Sequence, residues 1–183
     1  ILDNIAELKR VIQQQAITTI FFHHEDEPQQ NVAHTSLANL DARIIMSRDL
    51  ARKGLWPAIN PLASTSRLFE TNAISQRHIQ VAQQVRQLLQ QAQALHGKSQ
   101  LSAEQQQIVQ RAEHIQLFCT QPFTITEAFS EIPGEYLTIA ETVSNFAALL
   151  SGSHDTLPDN TFKFIGTLDQ AVAKSNSLKK KES

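Results

Sequence analysis

From residue 75 onwards, apolar residues recur about every 3.6 positions, a spacing that predicts amphipathic helices. The first of these helices begins near Ser75 and ends at Gly97, since glycine often follows the last helical turn. Its predicted apolar stripe is Ile79, Ala82, Val85, Leu88 or Leu89, Ala92 and Leu95.

Capping-box sequences mark the starts of three further helices, because a Ser or Thr side chain and a Gln or Glu three residues later satisfy each other's backbone N–H groups. The three are Ser102-x-x-Gln105, Thr138-x-x-Glu141 and Thr167-x-x-Gln170. The predicted inward positions are Ile108, Ala112, Ile115 and Cys119 in the first, and Ile139, Val143, Phe146, Ala147 and Leu150 in the second.

Before residue 66 the pattern differs. Asp3 to Gln15 has the spacing of a short amphipathic helix, and the β-branched and aromatic run Ala16 to Phe22 predicts a buried strand. His23 to Asn31 is polar and predicts an exposed loop, and Leu40 to Ser47 predicts a second strand. We therefore predict a mainly α fold, a C-terminal helical bundle (residues 71–183) preceded by an incomplete α/β edge (residues 1–70).

Composition excludes several classes of function. Lys+Arg 16 against Asp+Glu 18 gives a net charge of -2, so the chain lacks the overall positive charge that favours nucleic acid. A single cysteine excludes a disulfide framework and a cysteine-based zinc site, and no other metal site is predicted. The 5 glycines are scattered, so no glycine-rich phosphate loop is present. No apolar run is long enough to span a membrane, and the composition predicts a soluble, cytoplasmic chain.

Aromatic residues in loops are the remaining candidates for chemistry. Trp56 lies beside Pro57, and Phe123 and Phe129 follow Pro122. Ring faces in loops can stack on a purine, at about 1–3 kcal/mol per base. The pattern alone favours the alternative, that these residues pack between domains.

The segments Leu40–Arg48 and Gly54–Arg67 resemble the β subunit of F-type rotary ATP synthase, whose pattern runs close to L-D-A-x-x-x-L-S-R and then G-I-Y-P-A-V-D-P-L-x-S-T-S-R. The likeness continues through His78–Leu95, Gln121–Phe129 and Leu157–Val172. It covers nearly the whole chain.

This resemblance implies the C-terminal part of a subunit whose phosphate loop and catalytic glutamate lie upstream, so the α/β edge would belong to a P-loop nucleotide-binding domain. The intact subunit binds ATP or ADP with Mg. In the family, two Phe and a Tyr hold the adenine, and the corresponding positions here are Trp56, Phe123 and Phe129, with Thr126 where the family has Ala. No catalytic residue is expected in this chain, which should be inactive alone.

The family also couples chemistry to rotation through an acidic D-E-L-S-E-E-D loop. The residues at that place here are Gly97, Lys98, Ser99, Gln100, Leu101, Ser102, Ala103, Glu104 and Gln105. Since Glu104 is their one carboxylate, we expect weaker contact with a basic rotor helix. The implied partners are the alpha and gamma subunits, with no nucleic acid and no direct membrane insertion. The implied location is cytoplasmic, peripheral on the inner face of the cell membrane through the complex.

Two alternatives stay open. Type III secretion and flagellar export ATPases resemble this chain over Ser47–Ile59, although Pro61–Arg67 favours the β subunit. A non-catalytic interaction module derived from the β subunit is the other.

Overall fold

The computed structural model describes residue 20, residues 40–71 and residues 73–181. The chain forms two compact units, Ile1–Arg43 and Ile44–Ser183. Within the first unit, the described residues include one short strand, β1 (Ala42–Arg43).

Three predicted elements fall outside the described residues, except that Ile20 alone is described: the helix at 3–15, the strand at 16–22 and the loop at 23–31. The predicted boundary between domains 1–70 and 71–183 stays a prediction.

Helices dominate the second unit. Its α-helices are α1 (Arg48–Arg52), α2 (Gln76–Leu95), α3 (Ala103–Phe118), α4 (Glu127–Ser130), α5 (Ile139–Ser151) and α6 (Leu168–Lys181). Short 3₁₀ helices cover Arg67–Glu70, Thr124–Thr126 and Asp159–Phe162, and one short strand, β2, covers Thr65–Ser66. The predicted mainly α fold with a helical bundle is confirmed.

Local hydrogen bonds explain where the long helices begin. The Ser102 hydroxyl accepts from the Gln105 N–H at 3.2 Å, and the Gln105 side chain accepts from the Ser102 N–H at 3.0 Å. Thr138 and Glu141 form the same reciprocal pair at the start of α5. Two of the three predicted capping boxes are confirmed. At Thr167 only half of the box forms, with the Thr167 N–H donating to the Gln170 side chain at 3.4 Å.

The core lies where α2, α3 and α5 pack together with α6 and the 3₁₀ helix Asp159–Phe162. Each of these elements contributes apolar side chains to one cluster. The buried members are Leu89, Ala112, Ile115, Phe118, Leu149, Phe162, Ile165, Leu168 and Ala171.

Three predicted features differ from the structure. The strand predicted at Leu40–Ser47 is limited to Ala42–Arg43, and Met46 forms only an isolated antiparallel bridge with Ile59. Cys119, predicted as a core thiol, agrees only in part: the residue has an exposed surface because α3 ends at Phe118 and the chain turns there, but burial of its side chain raises the pKa of the thiol to about 11.

Ile139, predicted to face inward, is 70% exposed because it is the first residue of α5 and lies beyond the packed part of the bundle. The last helix continues to Lys181.

Two arginines join distant segments of the bundle. The Arg86 guanidinium on α2 donates to the carbonyls of Pro61 at 2.7 Å, Leu62 at 3.0 Å and Ser64 at 3.2 Å. Arg86 therefore holds the loop before β2 against α2.

Arg111 on α3 pairs with Asp155 and also donates to the Leu150 carbonyl at 3.2 Å. The hydrogen bond to Asp155 raises the pKa of Arg111, so the guanidinium stays charged at all relevant pH values. This pair fixes the turn that follows α5 against α3.

Candidate functional site

The loop that carries Trp56 is anchored on both sides of the ring. Leu55 is 9% exposed and Ala58 is 2% exposed, whereas Trp56 between them is 49% exposed. Gly54 makes the turn out of α1 with φ +67, a conformation that favours glycine. The peptide bond between Trp56 and Pro57 is cis. Buried neighbours therefore hold the backbone while half of the indole faces solvent.

Gln121 joins this loop to the segment that carries the two phenylalanines. Its backbone N–H donates to the Trp56 carbonyl at 3.0 Å. Its side-chain amide donates to the carbonyl of Phe118 at 3.2 Å and to that of Ile165 at 3.4 Å. Sequence reasoning gave Gln121 only as part of a family motif, and its clasping role depends on contacts that no local pattern shows.

The predicted site residues after Gln121 face solvent to different extents. Phe123 is 39% exposed, and Phe129 on α4 is 90% exposed. Thr126 is half-buried, and its hydroxyl donates to the Phe123 carbonyl at 2.9 Å. The rings of Trp56, Phe123 and Phe129 do not stack on one another. The geometry thus places the Trp56 backbone beside the Gln121–Phe123 segment and leaves the ring faces open, while their role in adenine binding stays a prediction.

The predicted rotor-contact residues form the tip of the α2–α3 hairpin. We call residues 96–102 the hairpin turn. Gly97, Lys98, Ser99 and Gln100 are exposed, and Gly97 adopts φ +83 with open space around its missing side chain. Leu101 is half-buried.

Ser102 caps α3, and the rest of the predicted set, Ala103, Glu104 and Gln105, forms the first turn of that helix. Glu104 is exposed and Gln105 is half-buried. The tip is therefore an ordered, polar surface with one carboxylate, and its contact with a rotor stays a prediction.

A buried histidine is the polar group that sequence reasoning did not single out. His114 is 1% exposed, its Nε2 lies 2.8 Å from Asp159 Oδ1, and its ring stacks on Phe162 with centroids 4.2 Å apart. Its Nδ1 has no hydrogen-bond partner. Burial of His114 could have been predicted from its position in α3, one residue before the inward Ile115. Its partner Asp159 is too distant in sequence to be predicted. Since His114 is almost fully buried and stacks on Phe162, we interpret the pair as a structural contact.

An open hollow of about 360 Å³ lies between the starts of α5 and α6. Two of its lining residues, Glu141 and Asp169, are acidic, and none is basic. Hydrogen bonds from the Thr138 hydroxyl and backbone lower the pKa of Glu141, so this carboxylate is ionised near neutral pH. The hollow therefore does not suit a phosphate group.

Metal-ligating side chains are dispersed in the described part of the chain, where no group of three His, Cys, Asp or Glu is placed to hold an ion. Every helix described by the structure is too short or too polar to cross a lipid bilayer.

Comparison with known proteins gives a fold but no family. No protein-family profile matches the sequence. A solved structure of a prototypical ATPase from the type III secretion system of pathogenic bacteria is similar, with a TM-score of 0.54 and 15% sequence identity. The similarity covers 81% of this chain and 44% of that ATPase, so this chain spans less than half of its length. At this identity the likeness shows that the helical fold is one found within an ATPase.

Proposed function

We propose that this chain is the C-terminal part of the catalytic β subunit of a rotary F-type ATP synthase. Two lines of support are independent of each other. The sequence carries the ordered motifs described above, and the fold is similar to that of an ATPase. Within such a subunit this chain would supply the adenine-binding aromatics and the rotor-contacting hairpin turn.

The observation that carries the adenine proposal is the hydrogen bond from the Gln121 N–H to the Trp56 carbonyl at 3.0 Å. It brings together two loops that are distant in sequence, and each loop exposes aromatic rings. Exposed ring faces suit a purine base, because every base has a π-face and stacking needs no specific hydrogen bond. The role proposed for Trp56, Phe123 and Phe129 is to bind and orient the base, with Thr126 beside them.

Phosphoryl transfer needs groups that grip the phosphates and the Mg ion. The described residues do not fit such a metal, since no three potential ligands converge. We therefore assign no chemical step to this chain and expect it to be inactive alone. Its contribution to catalysis would be positioning of the nucleotide in the intact subunit, together with the alpha subunit.

The hairpin turn and the first turn of α3, residues 97–105, would contact the gamma subunit. With Glu104 as the one carboxylate, electrostatic attraction to a basic rotor helix would be small. Contact would then depend on shape and on the order that the Ser102–Gln105 capping box imposes.

One specific observation favours a second candidate, an export ATPase of the type III secretion kind, because a solved structure with a similar fold is of that kind. The parent reading frame separates the candidates. An upstream glycine-rich phosphate loop supports an ATPase, and its flanking sequence decides between the two kinds. A degraded phosphate loop supports the non-catalytic module instead.

Trp56 is the single tryptophan, so its fluorescence reports directly on the proposed base site. We expect ADP to change this fluorescence with a Kd of about 1 mM or weaker, because the chain has no phosphate loop and only the base would be bound. CDP should have a smaller effect at the same concentration, because its base has less area to stack.

The matched variants are Phe129→Leu, in the proposed site, and Phe69→Leu, at a ring that is 40% exposed and lies in the 3₁₀ helix Arg67–Glu70. Phe129→Leu should raise the Kd about five-fold, equivalent to about 1 kcal/mol of stacking, and Phe69→Leu should leave it unchanged. Equal effects of the two variants, or no fluorescence change with ADP, would refute the adenine assignment.

A further inference from the structure

The segment Pro122–Glu135, which we call the acidic loop, closes on itself. The Glu135 N–H donates to the Pro122 carbonyl at 3.1 Å, and the Gly134 N–H donates to the Glu127 carboxylate at 2.7 Å. A side chain at Gly134 would lie 2.4 Å from the Thr124 nitrogen, so the two halves of the loop touch there. Compact surface loops whose ends meet in this way frequently carry function.

The acidic loop exposes apolar side chains that such a loop normally packs inside. Ile125 is 86% exposed, and Tyr136, directly after the loop, is 90% exposed. Phe129 is exposed as well and belongs to the proposed base site. Large exposed apolar side chains on an ordered backbone often mark an interaction surface.

The stretch of sequence that contains these side chains carries charge of one sign. Residues 112–162 contain no Lys or Arg and seven acidic residues, three of them in the acidic loop: Glu127, Glu131 and Glu135. Glu127 is engaged by Gly134, and Glu135 accepts from the Gln170 amide at 2.7 Å. The Glu131 carboxylate makes no hydrogen bond or ion pair with any described residue, and it is exposed.

The backbone at Glu131 is unusual for its side chain. Its φ is 56, in the left-handed region, where glycine or asparagine is the common residue after a short helix. A glutamate there costs backbone energy while its carboxylate pairs with no described residue, and strain of this kind is often retained at binding sites. The carboxylate follows α4 and lies between Ile125 and Tyr136 in the sequence.

We propose that the acidic loop is a docking surface for a basic, amphipathic helix of a partner protein. Ile125 and Tyr136 would contact the apolar face of that helix, and Glu131 would pair with a Lys or Arg beside it. Charge complementarity selects this occupant, because nucleic acid and anionic lipid would be repelled by the same carboxylates. The acidic loop includes Phe123, Thr126 and Phe129 of the proposed base site, but the docking proposal uses only Ile125, Glu131 and Tyr136.

The probe is a labelled synthetic amphipathic helix about four turns long, with Leu on one face and Lys on the other. The control is a peptide of the same length with Glu in place of Lys. Fluorescence anisotropy with the full chain should show binding of the Lys peptide alone. Raising the salt from about 50 mM to about 300 mM should weaken this binding several-fold, because exposed charges are screened.

Two pairs of variants locate the contact. Glu131→Gln is matched by Glu113→Gln, which removes an exposed carboxylate on α3. Ile125→Ser is matched by Leu68→Ser, at a side chain that is 54% exposed in the 3₁₀ helix Arg67–Glu70. The variants in or beside the acidic loop should weaken peptide binding about three- to ten-fold, and the matched controls should not.

Equal weakening by Glu131→Gln and Glu113→Gln would show attraction to net charge only and would overturn the proposal. So would failure of the Lys peptide to bind, or tighter binding of a single-stranded oligonucleotide or an anionic phosphatidylserine vesicle. Trp56→Phe should leave peptide binding intact, so loss of the base site and loss of this surface are distinguishable.

Discussion

The hairpin turn and the acidic loop both connect helices, and they expose opposite kinds of surface. The hairpin turn is polar, and its apolar neighbours Leu95 and Leu101 point inward or are half-buried. The acidic loop is as well hydrogen-bonded, yet it leaves Ile125 and Phe129 almost fully in solvent. The difference shows that order in a connection does not depend on burying its apolar residues. In the acidic loop, hydrogen bonds to the backbone supply the order, and the exposed apolar side chains remain available to contact a partner.

The comparison can be tested first with two phenylalanines. Phe118, at the end of α3, is 2% exposed and meets the Phe146 ring edge-on at 5.4 Å. Phe118→Ala should lower the free energy of unfolding by about 3–5 kcal/mol, because it leaves a cavity in the core. Phe129→Ala should change it by less than about 0.5 kcal/mol, as expected for an exposed side chain. Urea unfolding followed by circular dichroism measures both, and similar losses would contradict the exposed state of the acidic loop.

Two glycines provide the second test. Gly134→Ala should cost about 2 kcal/mol, because the new methyl group meets the Thr124 backbone, which cannot move without opening the loop. Gly97→Ala should cost about 1 kcal/mol through its positive φ alone, since nothing lies nearby. The unfolding midpoints of the two variants give the comparison. A larger loss at Gly97 would mean that the hairpin turn is the more tightly packed connection.

The third and smallest effect concerns pH. Both helices that follow these connections begin with a capping box, but Gln105 is neutral and Glu141 ionises. Hydrogen bonds lower the pKa of folded Glu141 below its ordinary 4.5. Its stabilisation is therefore complete above that value and is lost as the pH falls through the lower folded pKa.

Glu141→Gln should remove this acid-dependent part of the stability and leave the Gln105 box unaffected. The difference between the unfolding midpoints at neutral pH and at about pH 3 should be slightly smaller in Glu141→Gln than in the unsubstituted chain. Gln105→Glu is the reciprocal control and should introduce a similar pH dependence at α3. An unchanged profile in both variants would contradict the assignment.

Sequence reasoning succeeded where the determining contacts are local. The capping boxes at Ser102 and Thr138 were predictable because the paired groups are three residues apart. Ile139 was predicted wrongly because helical periodicity does not show where a neighbouring helix ends. Cys119 was predicted correctly only in part: burial raises the pKa of its thiol, but the residue keeps an exposed surface, and Thr120 after the turn is the residue that is 1% exposed.

In the candidate site, too, the features set by local sequence were predictable and the contacts between distant segments were not. Its aromatics were visible as ring residues beside prolines, and the family motif gave their grouping. The Gln121 clasp and the contact between His114 and Asp159 join segments that are far apart in the chain, so no local pattern predicts them. Exposure of Ile125 was not predictable either, because an apolar residue in a loop is equally consistent with burial.

Arg86, midway along α2, couples this helix to the segment before β2. Its guanidinium donates to three carbonyls of that segment, those of Pro61, Leu62 and Ser64, which restrains the segment from sliding along the helix. A helix transmits axial force without a joint, and about 16 Å separates Arg86 from Gly97 at 1.5 Å per residue. A push on the tip of the hairpin would therefore arrive at Pro61, a few residues from Trp56, as a displacement of the whole segment. Lysine in place of Arg86 would keep the charge and lose the stiffness of that linkage.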